Sequence, residues 1–315
     1  MSNKLRYLIY MLRIRRVEFR IAEIPILAIP ILLLLPDAEP LKTFSFWEGI
    51  FIFFLLFAFG DMINCLADRD LDAVYKPHLS EAVYGLGVRF VTFQVAATAV
   101  AALVLAAHLA WRLDRWPLFA MVAIGLVLGA AYSVQPLQLK GRGLAQLLCL
   151  WLIIFVGPML FVSLLVSTLP SAMLLIFVAA YGALQMGIIL VNTAEDYPED
   201  LRAQIKTSIV ALGLHRGIAL AFWLAAAGAS GAVITLAVIF RQQGLGQFWL
   251  LALLPAAAAC LYVLADVWKL KRAIKGRDLT TTIQTVKTSA KRVPLWLTVV
   301  AWSMLGAAYA FFRGR

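Results

Sequence analysis

Long apolar stretches recur along the chain, and short polar segments separate them. A helix needs about 20 residues to cross the hydrocarbon core of a bilayer, which is roughly 30 Å thick. Most of the stretches reach this length, and the first, third and fourth reach it with flanking residues. The pattern predicts about nine transmembrane helices, over residues 21–35, 47–63, 91–109, 116–131, 144–167, 172–191, 218–240, 248–268 and 293–312.

Helices are the expected spanning structure because lipid offers no hydrogen-bond partner to an unpaired backbone group. An outer-membrane barrel would show alternation of apolar and polar residues over about ten positions, and the sequence has no such alternation. We therefore expect an all-α integral membrane protein in which residues 1–315 form a single domain.

The composition excludes an ordinary soluble domain. Hydrophobic residues make up 63% of the chain and charged residues 14%, with a mean hydropathy of +0.88. Soluble domains have about 45–50% apolar and about 25% charged residues. The three cysteines and three histidines are dispersed, so neither a disulfide framework nor a zinc site is expected.

Basic residues predict the orientation in the membrane. If the N-terminus is cytoplasmic and the loops alternate, 22 of the 28 Lys and Arg residues fall on the cytoplasmic side. Cytoplasmic loops are enriched in these residues, so we expect a multi-pass protein of the cytoplasmic membrane with its C-terminus outside. The net charge of +11 then reflects topology first, with attraction to anionic lipid or substrate as an addition. The charges are spread over many loops, so nucleic acid is not an expected partner.

A polar motif repeats at the ends of two predicted spans. It occurs as Asn64, Asp68 and Asp72 after the second span and as Asn192, Asp196 and Asp200 after the sixth. The chain contains only three asparagines and ten aspartates, so chance does not explain two copies. Both copies are expected on the cytoplasmic side.

The spacing of each motif predicts a ladder of oxygen ligands. Positions i, i+4 and i+8 stay on one face of a helix and cover about 12 Å of its axis. Two facing ladders would supply four carboxylates and two amide oxygens, which suit Mg²⁺. We expect all six residues to be metal ligands, and Asp68 and Asp196 to be catalytic. Mg²⁺ would also allow these acids to bind a diphosphate that they would otherwise repel.

Other acids have different expected roles. Asp70, Glu81 and Glu199 lie off the ladder faces and are expected to be solvated surface acids. Asp61 either extends the first ladder or pairs within the bundle, and the partner of Glu23 is open. Acids near the membrane core are costly unless they have a partner or a function. For Asp266 we expect an ion pair with the Lys269–Lys271 cluster.

A basic loop separates the fourth and fifth spans. It begins at Tyr132 and contains Pro136, Lys140 and Arg142, with glycines that break a helix. Both cations are expected on the same side as the two motifs, where they would stabilise the charge that builds up on a departing diphosphate. Taken alone, the same cations would be ordinary positive-inside anchors.

These motifs, together with the Tyr132-Ser133…Pro136…Lys140 loop and the segment from Asp196 to Thr207, resemble the UbiA superfamily of intramembrane prenyltransferases. The resemblance covers essentially the whole chain. It implies nine helices in a bundle around a lipid-accessible cavity, capped by helices on the cytosolic side that carry the motifs. It also implies an enzyme that uses Mg²⁺ to ionise a polyprenyl diphosphate and passes the prenyl group to an acceptor.

The resemblance assigns roles by matching position. By matching position, Mg²⁺ would be held by Asn64, Asp68, Asp72, Asp196 and Asp200, and the diphosphate would be bound by Tyr132, Lys140 and Arg142. We also expect Lys76 and Lys206 to bind the diphosphate. The chain departs from the usual pattern at Cys65 and Asn192, where aspartate is common in the family. Lys76 is followed by Pro77 and His78, without the arginine that is usual there, so Lys76 is expected to substitute as a point charge.

Other functions are compatible with the sequence. The same scaffold could support a membrane terpene cyclase, or transfer of a sugar phosphate group to a polyprenyl phosphate. A transporter fits less well, because the motifs are parallel copies at one membrane edge, whereas transporters often use inverted repeats around a midplane site. The acceptor, aromatic or lipid-like, and the length of the isoprenoid are not determined.

Overall fold

The computed structural model describes residues 3–167 and 169–315, which divide into two compact units. Unit 1 comprises Met1–Arg20 and Glu39–Leu139, and unit 2 comprises Ile21–Ala38 and Lys140–Arg315. The described residues form 15 α-helices joined by short 3₁₀ turns and one π-helical segment, and within them the only β-type pairing is an isolated bridge.

Unit 1 is built around one long helix. Its helices are α1 (Asn3–Arg13), the first residue of α2 (Arg20–Leu34), α3 (Phe44–Tyr75), α4 (Pro77–Leu86), α5 (Val88–Leu113) and α6 (Trp116–Ser133). Thr43 starts α3, because its hydroxyl oxygen accepts a hydrogen bond from the Phe46 backbone N–H. The α3 helix packs against α4, α5 and α6. Glu48 and His108 join α3 to α5 through a 2.6 Å contact between Oε1 and Nδ1.

Unit 2 contains the remaining helices. They are α2 from Ile21 onward, α7 (Leu144–Leu150), α8 (Gly157–Val166), α9 (Ala172–Glu195), α10 (Tyr197–Arg202), α11 (Ser208–Leu212), α12 (Leu214–Gln242), α13 (Leu254–Ala273), α14 (Leu279–Ala290) and α15 (Val293–Gly314). A π-helical turn, Trp151–Val156, makes α7 and α8 one continuous rod.

The most extensive helix contact in unit 2 is that of α9 with α12. Glycines permit this close approach, because a Cβ added at Gly228 would overlap the Leu184 backbone nitrogen, and one at Gly187 would lie 2.5 Å from the Ala225 nitrogen. Small residues at helix contacts are characteristic of membrane bundles, where close backbone packing replaces the hydrophobic driving force.

Eight helices of the described chain are long and apolar enough to cross a membrane. They are Phe44–Tyr75, Val88–Leu113, Trp116–Ser133, Leu144–Val166, Ala172–Glu195, Leu214–Gln242, Phe248–Ala273 and Val293–Gly314. These eight correspond to the second to ninth predicted spans. The first predicted span forms α2, whose 15 residues cover about 22 Å and so fall short of the bilayer core without flanking residues.

Candidate active site

The first motif lies on a continuous helix, as the sequence predicts. The α3 helix extends to Tyr75, so Asn64, Asp68 and Asp72 occupy successive turns near its end. Asp72 is buried, and the other two are half-buried. The three side chains therefore share one face of a rigid element, with about 6 Å of axial rise between neighbours.

Ser133 positions the amide of the first motif. Its hydroxyl donates a 3.2 Å hydrogen bond to Asn64 Oδ1, and Ser133 is buried at the last residue of α6. This hydrogen bond helps to orient the Asn64 side-chain amide. Ser133 is not among the predicted site residues. Its neighbour Tyr132, which is half-buried, is one of them.

Lys76 follows the first motif directly. Its backbone N–H donates to the Asp72 carbonyl oxygen at 2.8 Å and ends α3, and Pro77 then begins α4. Proline suits the first turn of a helix because its missing N–H has no intrahelical partner there. The Lys76 side chain is exposed and lies one turn beyond Asp72.

The second motif does not lie on one helix, so that prediction is wrong. The α9 helix ends at Glu195, Asp196 lies at the junction with φ −80° and ψ 2°, and Asp200 belongs to α10. The physical reason is Pro198, which has no N–H to donate to the Ala194 carbonyl oxygen. Asn192 is exposed in the last turn of α9, while Asp196 and Asp200 are half-buried.

A threonine holds the end of the second motif. Thr207 Oγ1 donates to Asp200 Oδ2 at 3.0 Å and also accepts from the Val210 N–H at 3.4 Å, which starts α11. One buried hydroxyl thus orients a predicted metal ligand and caps a helix. The sequence resemblance included Thr207 but gave it no role.

The basic loop is joined to the second motif by its backbone. Arg142 and Lys206 form a parallel β-bridge, and the Gly143 N–H donates to the Lys206 carbonyl oxygen at 2.7 Å. Gly143 has a φ of +60° and a Cβ there would approach Ala211 at 3.3 Å, so glycine suits this turn. Lys140 is buried in a 3₁₀ turn, with a relative exposure of 7%.

Gln146 adds a further link between the segment after the basic loop and the segment after the second motif. Its Oε1 accepts hydrogen bonds from the backbone N–H and the hydroxyl of Ser208, at 2.8 and 2.9 Å. Both residues are buried, so the amide links α7 to α11 where water does not compete. Within unit 2 the structure therefore brings Lys140, Arg142 and Lys206 together with the segment that carries Asp200.

Several acids outside the motifs have partners in the structure. Arg20 Nη2 lies 2.5 Å from Asp61 Oδ2, so Asp61 pairs within unit 1. Asp266 pairs with Lys269 at 3.5 Å, as predicted, and also with Arg292 at 3.1 Å. The remaining contacts are Glu199 with Lys287, Glu81 with Arg6 and Tyr10, and Asp70 with Tyr84 and Arg69.

The donor set of both motifs fits Mg²⁺. Carboxylate and amide oxygens are hard ligands, and Mg²⁺ usually takes one or two carboxylates together with waters and substrate phosphates. Across residues 3–167 and 169–315, no three His, Cys, Asp or Glu side chains form a group that could hold a metal ion. The residues that could hold a metal ion are the two carboxylates and the one amide of each motif.

Eight helices of the described chain are long and apolar enough to cross a membrane, and two of them lead into acidic motifs. These features define the class of the chain as an integral membrane protein. The model of the UbiA prenyltransferase family matches residues 24–282. The chain belongs to the UbiA prenyltransferase family.

A curated relative is homogentisate phytyltransferase from Synechocystis sp. (strain ATCC 27184 / PCC 6803 / Kazusa). It is 26% identical over an alignment of 196 residues, and the alignment covers 59% of this chain and 62% of that enzyme. The similarity thus spans less than two thirds of the relative.

Solved structures share the fold. A UbiA homologue from Archaeoglobus fulgidus bound to DMAPP and Mg²⁺ is 19% identical, with a TM-score of 0.65 over 94% of this chain and 98% of that one. A structure described for digeranylgeranylglyceryl phosphate synthase is 15% identical, with a TM-score of 0.66 over 98% of this chain and 99% of that one. At these identities the comparison establishes the fold, and it confirms the predicted all-helical membrane architecture.

Proposed function

We propose that the protein transfers a prenyl group from a polyprenyl diphosphate to an acceptor within the membrane, and that the reaction depends on Mg²⁺. The observation that carries the proposal is the assembly in unit 2. There a bridge between Arg142 and Lys206 joins the basic loop to the segment of Asp200 and Thr207. Carboxylates for a metal and cations for a diphosphate are thereby held in one framework. Membership of the family supports the same reaction class.

Each acidic motif would supply ligands for Mg²⁺. Asn64, Asp68 and Asp72 are presented by α3, and Asn192, Asp196 and Asp200 by the α9–α10 region. Bound Mg²⁺ would neutralise the diphosphate and favour its departure as a leaving group. Thr207 keeps one Asp200 oxygen oriented by its hydrogen bond, which is how an outer partner tunes a metal ligand.

The cations would stabilise the leaving diphosphate. Lys140 is buried, so its charge acts where water screens it least. Arg142, Lys206 and Lys76 are exposed and would attract the anion, and the Tyr132 hydroxyl would donate a hydrogen bond to it. The prenyl chain would lie among the apolar helices.

We also propose an orientation of the chain in the membrane. The bias of Lys and Arg towards one set of loops favours a cytoplasmic N-terminus and an active site at the cytoplasmic face. A diphosphate carries several negative charges, so it would reach the site from water while its chain stays in lipid.

Substitutions of the acids test the metal sites. Asp68→Ala and Asp196→Ala should each abolish turnover of labelled prenyl diphosphates by purified protein, because each removes a carboxylate ligand from its motif. EDTA should abolish turnover reversibly. Asp70→Ala and Glu199→Gln are matched controls, since these acids pair with Tyr84 and Lys287 outside the ladders. Full activity of either motif variant at ordinary Mg²⁺ would refute its place in the site.

Mass spectrometry of the lipid extracts distinguishes the alternative reactions. Donors of several chain lengths are supplied with and without candidate aromatic and lipid acceptors. Prenyl transfer requires the acceptor for product formation. A hydrocarbon or alcohol formed without acceptor would indicate cyclisation and would overturn transfer as the main reaction.

A further inference from the structure

The amphipathic helix α1 packs on the protein through one face only. The Tyr10 ring is buried against Gly85 of α4, where an added Cβ would overlap the ring. The Tyr10 hydroxyl donates to Glu81 Oε1 at 2.6 Å, and Arg6 Nε donates to the Tyr10 oxygen at 2.5 Å. The Tyr10 hydrogen bond, and Arg6 beside it, lower the pKa of Glu81, so this carboxylate is ionised at neutral pH.

The opposite face of α1 is apolar and exposed. Leu5, Leu8 and Leu12 have relative exposures of 48%, 54% and 42%. Their spacing of three and four residues places them in one stripe along the helix. At 100° per residue, the stripe lies about 160° around the axis from Tyr10. Val17 and Phe19 extend the exposed apolar surface beyond the helix.

Basic residues are frequent near this stripe, and four of them, all arginines, also contact protein groups. Residues 4–20 contain six Lys and Arg residues and a single acid, Glu18. An apolar stripe bordered by cations is typical of a helix that lies in the plane of an anionic membrane surface. A second copy of the chain would suit the stripe less well, because pairing would bring two such basic segments together in a region of lower dielectric constant.

We propose that α1 is an interfacial helix of this membrane protein. Leu5, Leu8 and Leu12 enter the boundary between the headgroups and acyl chains of an anionic leaflet, and Tyr10 fixes the helix to α4 from the other side. Lys4 and Arg13 contact lipid phosphates. Lipid is necessarily close, since the same chain crosses the bilayer several times.

Fluorescence quenching in proteoliposomes tests this placement on the full chain. Leu8→Cys is labelled with an environment-sensitive dye; Cys65, Cys149 and Cys260 are buried and should not react. In vesicles with phosphatidylglycerol, lipids that carry a shallow quencher should quench the dye, and aqueous iodide should not. His78→Cys, at an exposed polar position on α4, is the matched control and should be quenched by iodide.

Two further measurements separate the contribution of the apolar stripe from that of the cations. Leu5→Gln with Leu12→Gln should raise iodide quenching at position 8 by about threefold or more, because the stripe loses most of its apolar area. Pure phosphatidylcholine vesicles should also raise it, since the cations lose their lipid partners.

Three outcomes would overturn the proposal or a part of it. Equal iodide quenching at positions 8 and 78 would show that the stripe faces water. Protection of the dye from both quenchers, with disulfide formation between two unlabelled chains of the Leu8→Cys variant, would assign the stripe to a second copy instead. Lipid quenching that is the same in neutral vesicles would overturn the role of anionic lipid.

Discussion

Single side chains in unit 2 serve both the local fold and the predicted chemistry. Thr207 is the clearest case, because one hydroxyl group donates to Asp200 and accepts from the Val210 N–H. Lys140 is another, since it lies in a tight turn and is buried although it is a lysine. Both residues can be tested by substitutions that separate structure from function.

Thr207→Val should weaken Mg²⁺ binding. The variant leaves Asp200 without its 3.0 Å hydrogen bond, and loss of an outer partner usually costs about 10–100-fold in metal affinity. The Mg²⁺ concentration for half-maximal activity should rise accordingly. Thr207→Ser keeps the hydroxyl and should stay close to the wild type. If Val and Ser variants need the same Mg²⁺ concentration, the hydroxyl acts only as a helix cap.

Lys140→Met should act on the chemical step. Removing one charged donor from a developing negative charge lowers kcat by roughly 10²–10³, and the effect on KM should be smaller because the contact strengthens as charge develops. Lys269→Met is the control, because that side chain is exposed and pairs with Asp266. Steady-state kinetics in detergent measure both variants. Equal small effects would reduce Lys140 to a topological anchor.

At the scale of elements, the two copies of the motif have different structures. The first occupies three turns of one helix, as its spacing predicts, whereas the second is divided between α9 and α10. The sequence contains Pro198, but the i, i+4, i+8 spacing takes no account of the N–H that proline lacks, so it does not predict the end of α9. Spacing therefore predicts which residues form the motif and does not predict the path of the backbone through it.

The short helix α11 depends on its link to α7. Gln146→Leu removes the acceptor for the Ser208 N–H and hydroxyl, and a buried donor left without a partner costs about 1–3 kcal/mol. We expect a lower midpoint of thermal inactivation in detergent, with loss of activity at a lower temperature. Gln243→Leu, at an exposed position of the same unit, should leave the midpoint nearly unchanged. A similar midpoint for both variants would contradict the importance of this link.

At the scale of the whole molecule, hydropathy predicts the spanning helices well. Apolar runs are sufficient to predict eight helices, because a backbone in lipid can satisfy its hydrogen bonds in few structures other than a helix. Contacts such as Ser133 with Asn64, or Gln146 with Ser208, join residues 69 and 62 positions apart. Local patterns carry no information on such pairs. A polar residue inside an apolar run signals only that some partner must exist.

The orientation of the chain in the membrane is testable with single cysteines. His78→Cys, Gln138→Cys and Leu201→Cys, next to Lys76, Lys140 and Arg202, should react with a membrane-impermeant reagent only from the cytoplasmic side. Gln243→Cys, in a loop predicted outside, should react only from the other side. The buried native cysteines keep the background low. Labelling of any of the first three cysteines from outside would contradict the predicted topology.

The bridge between Arg142 and Lys206 also has an entropic consequence. Fixing the backbone of one residue costs roughly 1–2 kcal/mol of conformational entropy at 25 °C, and a free loop would lose this freedom each time a diphosphate binds. In this protein the backbone pairing at Arg142, Gly143 and Lys206 restricts the loop during folding, before any substrate arrives. If the loop binds the diphosphate as proposed, each turnover would begin with a loop whose backbone is already ordered. More of the binding free energy would then remain to favour departure of the leaving group.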